Sequence, residues 1–130
     1  MNNKMLDGFN ILVAEDNIIN QKIANYILRK HGAVVKMASN GKEAIDLLGG
    51  GRFDVVLMDL QMPGMDGFTT AKYIRNELHN NVPIIGFSAS IFADEIDECI
   101  DAGMNTCILK PFDPNGLCEL ILSVIKDCKN

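Results

Sequence analysis

Five short apolar runs alternate along the chain with longer stretches whose apolar residues recur at helical spacing. The runs are FNILVA at 9–14, AVVKMA at 33–38, FDVVLM at 53–58, VPIIGF at 82–87 and TCILK at 106–110. Runs this short, rich in Val and Ile and mostly unbroken by polar residues, suit strands that are buried on both faces. Residues 18–30 place Ile19, Ile23, Ala24, Ile27 and Leu28 on one helical stripe and end at the stop signal His31-Gly32. A second helix is predicted over 39–48, capped by Ser39 or Asn40 and broken by Gly49, Gly50 and Gly51. A third runs from about Gly67 to His79. The fourth, about 91–101, turns Phe92, Ile96, Cys99 and Ile100 inward and leaves an acidic outer face of Asp94, Glu95, Asp97, Glu98 and Asp101. The last sets Leu117, Leu120, Ile121, Val124 and Ile125 in the order of one helical face. Strands alternating with helices in this way predict an α/β fold, a three-layer α/β/α sandwich around a parallel sheet.

Four of the runs deliver polar groups of possible chemical use where they stop. Glu15 and Asp16 follow the first, Asp59 the third, Ser88 the fourth, and Lys110 ends the fifth. In an open parallel sheet the C-terminal strand ends share one edge, where such folds bind ligands. Three acids at a dry strand edge repel one another unless a cation neutralises them. Their hard oxygen ligands suit Mg²⁺, which is commonly held by one or two carboxylates plus phosphate oxygens. Ser88 and Lys110 add a hydroxyl and an ammonium suited to phosphate oxygens. The constellation describes a phosphoryl-binding site beside a carboxylate nucleophile.

Composition narrows the classes. At 130 residues the chain fits a single domain, 1–130, with a core over about 9–128, and 48% hydrophobic content with no Trp predicts an aliphatic interior. A net charge of −5 argues against a phosphate-backbone binder, so no direct nucleic-acid contact is expected. The four cysteines, at 99, 107, 118 and 128, lack zinc-ligand spacing and read as reduced, mostly buried thiols. His31 and His79 fall near helix ends, where a cation is favourable. The N-terminus has no apolar core of a signal peptide, and no run is long enough to span a bilayer, so a cytoplasmic protein without a membrane segment is expected.

The segments ILVAEDN (11–17), DVVLMDLQMPGMDG (54–67), PIIGFSA (83–89) and GMNTCILKPF (103–112) resemble the receiver domains of two-component signalling, the CheY-like response regulators. The ILVAEDN opening and the DLQMPGMDG turn are most similar to receivers of hybrid histidine kinases and phosphorelays. The resemblance implies a flavodoxin-like (βα)5 fold with strand order 2-1-3-4-5. It implies that Asp59 accepts a phosphoryl group from a phosphohistidine, that Asp16 and Asp59 ligate Mg²⁺ by side chain, Gln61 by its backbone carbonyl and Glu15 through water. Ser88 matches the switch hydroxyl and Lys110 the phosphoryl-pairing lysine. The implied partners are a histidine kinase or a histidine phosphotransfer domain, including the kinase part of a hybrid protein that carries this domain. Such a domain is a signalling phosphoprotein, not a turnover enzyme. One position departs from the pattern: Cys107 stands where the family usually has an aromatic switch residue, which implies a smaller or differently shaped change at the fourth helix and fifth strand.

Other classes meet specific obstacles. A small Mg²⁺-dependent aspartyl-phosphate phosphatase carries a DxD after its first strand, whereas here that strand ends in EDN. A nucleotide or flavin binder needs a Gly-rich loop there. An inactive pseudo-receiver, acting only as a protein-binding module, usually lacks an acid or the lysine, and all are present.

Overall fold

The apolar runs form strands β1 (Asn10–Ala14), β2 (Val34–Ala38), β3 (Val55–Asp59), β4 (Ile84–Ser88) and β5 (Thr106–Leu109) in a computed structural model that describes residues 4–62, 64–88, 93–109 and 113–128. Between and after them lie α1 (Ile18–Lys30), α2 (Gly41–Gly50), α3 (Gly67–Asn76), α4 (Ala93–Asp101) and α5 (Pro114–Cys128). All four pairings are parallel and the strand order is β2-β1-β3-β4-β5, as expected for this topology. The central strands β3 and β4 are buried along their whole length.

Alternation along each strand divides the core into two layers. Ile11, Val13, Val55, Leu57, Ile85 and Phe87 face α1 and α5, meeting Ala24, Ile27, Leu28, Leu117, Ile121 and Ile125. Leu12, Ala14, Val56, Met58 and Ile84 face the opposite way onto Ala44, Leu48, Ala71, Ile74 and Cys99 of α2, α3 and α4. Each fully buried aliphatic side chain contributes about 1.5–3 kcal/mol, so two such layers supply the driving force that holds β1, β3 and β4 in register.

The helices differ from expectation in four places. On α1, Ile19 and Ile23 are 68% and 48% exposed, and the inward stripe is Ala24, Ile27 and Leu28. One turn back from Ala24 the inward positions are Asn20 and Gln21, so α1 turns polar where it passes the strand ends. On α4 the buried residue is Cys99, whereas Ile96 and Ile100 are 48% and 52% exposed. The small Cys99 and Ala102 let the helix approach the sheet closely, which leaves the two isoleucines at its rim. Phe92 lies outside the described residues. Gly49 and Gly50 continue α2 rather than breaking it, and Gly51 is its C-cap; each interior glycine costs only about 1 kcal/mol, which packing outweighs. Finally α3 ends at Asn76, where the Leu78 N–H bonds back to Tyr73 O and His79 adopts a φ of 50°. Asn40 is the cap of α2, and His31 is the C-cap of α1 beside Arg29 and Lys30, its backbone N–H donating to Leu28 O at 3.2 Å.

Candidate functional site

The sheet register decides what meets at the C-terminal edge. Ala14 pairs with Met58 and Asp59 with Phe87, so the residues just beyond β1 and at the ends of β3 and β4 stand side by side. Carboxylate oxygens of Glu15, Asp16 and Asp59 all lie within 4.8 Å of one another. Glu15 and Asp59 are 1% and 4% exposed, whereas Asp16 is open to solvent.

Local backbone geometry builds this cluster. Glu15 extends the β1 ladder by one bond, its N–H donating to Ala38 O at 3.0 Å. The chain then turns into α1, whose cap Asn17 accepts from the Asn20 N–H at 3.1 Å. That turn also aims donors at the Glu15 carboxylate: the Asn17 N–H at 3.1 Å and Asn20 Nδ2 at 3.5 Å both reach Oε1. Oε2 is buried and accepts no hydrogen bond from the described residues. Asp59 Oδ1 accepts from the Gln61 N–H at 3.1 Å. Past Asp59 the turn runs through Gly64 in the left-handed region at φ 81° to Asp66, which caps α3 by accepting from the Thr69 N–H at 2.8 Å. Gly67 then packs so tightly that a Cβ there falls 2.5 Å from the Asp59 carbonyl oxygen and 2.9 Å from Leu60 Cα.

Electrostatics decides what the cluster can hold. Two carboxylates at this separation repel by about 3.5 kcal/mol at an effective dielectric of 20. That exceeds the roughly 1 kcal/mol net worth of one hydrogen bond. A divalent cation removes the conflict, and octahedral Mg²⁺ with ligands at about 2.1 Å sets neighbouring oxygens about 3 Å apart and opposite ones about 4.2 Å apart. Three hard oxygens within 4.8 Å of one another match that requirement with little movement.

Of the other site residues expected from sequence, Ser88 is buried (1% exposed) at the end of β4, opposite Leu109 and one residue beyond the level of Asp59 on the adjacent strand. Gln61 is exposed, with its N–H on Asp59. Lys110 lies outside the described residues; β5 ends one position before it. Sequence reasoning missed Asn17 and Gln21 as neighbours of Glu15. The readable signal is polarity at the inward positions of the first turn of an otherwise apolar helix stripe.

The thiols belong to packing. Cys99, Cys107 and Cys118 are free, and burial foremost, with a hydrogen bond to Cys107, pushes the Cys99 thiol up to about 12. Burial raises Cys118 as well. Cys107 is half-buried against the α2–α3–α4 layer and pairs in register with Gly86, whose missing side chain leaves room for Met104 and Leu60.

A family model described as the response regulator receiver domain matches residues 11–122. The chain is 38% identical over 128 residues to hybrid signal transduction histidine kinase K of Dictyostelium discoideum, aligning 92% of itself with 11% of that protein. The chain spans only 11–19% of the length of curated relatives that it matches. Among solved structures, the receiver domain of the Pseudomonas aeruginosa sensor histidine kinase PA1611, with magnesium coordinated in its active-site cleft, is 32% identical with a TM-score of 0.83 over 92% of this chain and 98% of that one. The receiver domain of Saccharomyces cerevisiae Ssk1, crystallised with the histidine phosphotransfer protein Ypd1, is 31% identical with a TM-score of 0.85 over 92% and 90%. No helix among the described residues is long and apolar enough to cross a membrane.

Proposed function

This chain belongs to the response regulator receiver family, and on that premise we propose that Asp59 is its phosphoacceptor, taking a phosphoryl group from a phosphohistidine. The observation that carries this reading is the carboxylate cluster of Glu15, Asp16 and Asp59 at the sheet's C-terminal edge. An Asp59 oxygen attacks phosphorus, the donor's N–P bond breaks with its electron pair passing to the imidazole, and an acyl phosphate forms. Asp16 and Asp59, with the Gln61 carbonyl and with Glu15 through water, would hold Mg²⁺, which when bound would offset the charge on the phosphoryl oxygens and on the acids. The Gln61 N–H donates to Asp59 Oδ1 and helps hold the Asp59 rotamer at the strand exit. Ser88, buried at the end of β4, donates its hydroxyl to the phosphoryl group once it arrives, and Lys110 pairs with it. The phosphoryl group stays on the protein, so the product is a conformational signal and not a released compound.

The donor is a histidine kinase or a histidine phosphotransfer domain. Ile18, Ile19, Ile23 and Tyr26, all between 48% and 68% exposed, line the α1 surface beside the acidic site and provide an apolar landing for it. The chain spans a small part of its curated relatives, and where a hybrid histidine kinase carries such a domain its kinase region is one source of the donor. A cytoplasmic location follows from this role.

Incubation with acetyl phosphate and Mg²⁺, read by intact mass, is expected to add one phosphoryl group that is lost in Asp59→Asn and absent in EDTA. Labelling that persists in Asp59→Asn overturns the assignment.

A further inference from the structure

The Glu15 backbone carbonyl lies on the β2 side of β1, the side to which its own N–H donates, but the β1–β2 pairing ends at Ala14 and Ala38, so this carbonyl falls just past the ladder. A carbonyl at a buried strand exit needs another partner. Gln21 supplies it. Its side-chain Nε2 donates to Glu15 O at 2.6 Å and to Ser39 Oγ at 3.3 Å, using both hydrogens of one amide on two different loops.

These two bonds join parts that the helix and strand ladders leave separate. Gln21 is fixed to the first turn of α1 by its own N–H, which donates to Asn17 O at 2.9 Å. Ser39 follows β2, and its N–H donates to Glu43 Oε1 at 2.8 Å, while the Glu43 N–H donates to Asn40 Oδ1 at 2.8 Å. One amide thus ties the exit of β1 and the start of α1 to the β2–α2 corner. The tied carbonyl belongs to the residue whose carboxylate is the most buried of the three acids.

We infer that Gln21 is a positioning residue for the acidic site, setting its divalent-cation affinity by anchoring the Glu15 backbone to Ser39. Gln21 touches neither cation nor phosphoryl group. It acts by limiting how far the Glu15 carboxylate drifts from Asp16 and Asp59 under mutual repulsion. The inference rests on the Mg²⁺ reading of the cluster proposed above.

The test uses Gln21→Met, close in length but without donors, and Ser39→Ala at an exposed position. Mg²⁺ is titrated into each ¹⁵N-labelled protein and followed through backbone amide shifts, with unfolding midpoints in urea measured without Mg²⁺. Losing one net hydrogen bond corresponds to roughly a three- to tenfold weaker Mg²⁺ midpoint in Gln21→Met. Ser39→Ala is expected to weaken binding less, and the double variant to fall short of the sum, as for residues in one network. Acetyl phosphate labelling of Gln21→Met recovers the parent rate at saturating Mg²⁺, which a purely structural lesion would not allow. Unchanged Mg²⁺ affinity in Gln21→Met, with or without lost stability, overturns the inference while leaving the acidic site intact. A parent protein without any Mg²⁺ response overturns the proposed function and this inference together.

Discussion

Replacing Gly67 by alanine and Gly49 by alanine makes the same chemical change at two helical positions, and the structure gives opposite signs for the outcome. At Gly49 nothing lies within 4 Å of an added Cβ, and the residue sits inside α2. There alanine adds about 1 kcal/mol of helix propensity without a clash. At Gly67 the added Cβ meets backbone, not a flexible side chain, at 2.5 Å and 2.9 Å, and has to retreat to at least 3.4 Å. Neither the Asp59 carbonyl nor Leu60 Cα can yield alone, since Leu60 is held by its N–H on Phe87 O and by its carbonyl accepting the Gly67 N–H at 3.1 Å. Overpacking costs about 1–3 kcal/mol, and a clash with fixed backbone puts this case in the upper part, about 2–3 kcal/mol, so against the same gain of about 1 kcal/mol in propensity the net loss is roughly 1–2 kcal/mol. Urea unfolding followed by circular dichroism reads both effects. Because the retreat pushes α3 away from the residue proposed to be phosphorylated, labelling by acetyl phosphate slows in Gly67→Ala and not in Gly49→Ala. Equal stability of Gly67→Ala and the parent, or a destabilised Gly49→Ala, refutes the packing argument.

Two further outcomes follow from a buried thiol and a half-buried cation. The Cys99 thiol, ordinarily near 9, is raised to about 12 in the fold, so below pH 9 its contribution to stability is complete and it is lost as pH rises toward 12. In that window each such thiol adds a slope of about −1.36 kcal/mol per pH unit to the unfolding free energy, and Cys99→Ala is expected to flatten the alkaline limb measured by urea titration; an unchanged slope contradicts it. Arg75 donates to Gly103 O at 2.9 Å, to Asn80 O at 2.7 Å and to Asn105 Oδ1 at 3.3 Å, linking the end of α3 to the turn before β5. Its replacement by alanine costs about 2–4 kcal/mol in the same assay, more than an exposed cation normally carries; a change under about 0.5 kcal/mol shows that these bonds are replaced by water without loss.

Period and punctuation in the chain determined the class of fold. Short unbroken apolar runs can be satisfied only by strands covered on both faces, and the helical spacing between them supplies the covers. The same runs announced Glu15, Asp16, Asp59 and Ser88 by ending in polar groups. Only the tertiary structure decided which helix residues face the sheet. Ile19, Ile23, Ile96 and Ile100 carry the hydrophobicity that pattern counting rewards, yet close approach favours small residues at α4, and the strand exits require polar ones at α1. The pairing of a carbonyl at residue 15 with an amide at residue 21 and a hydroxyl at residue 39 is likewise invisible in the chain. It depends on where β2 stops relative to β1, a distance that the parallel register sets and local sequence does not encode.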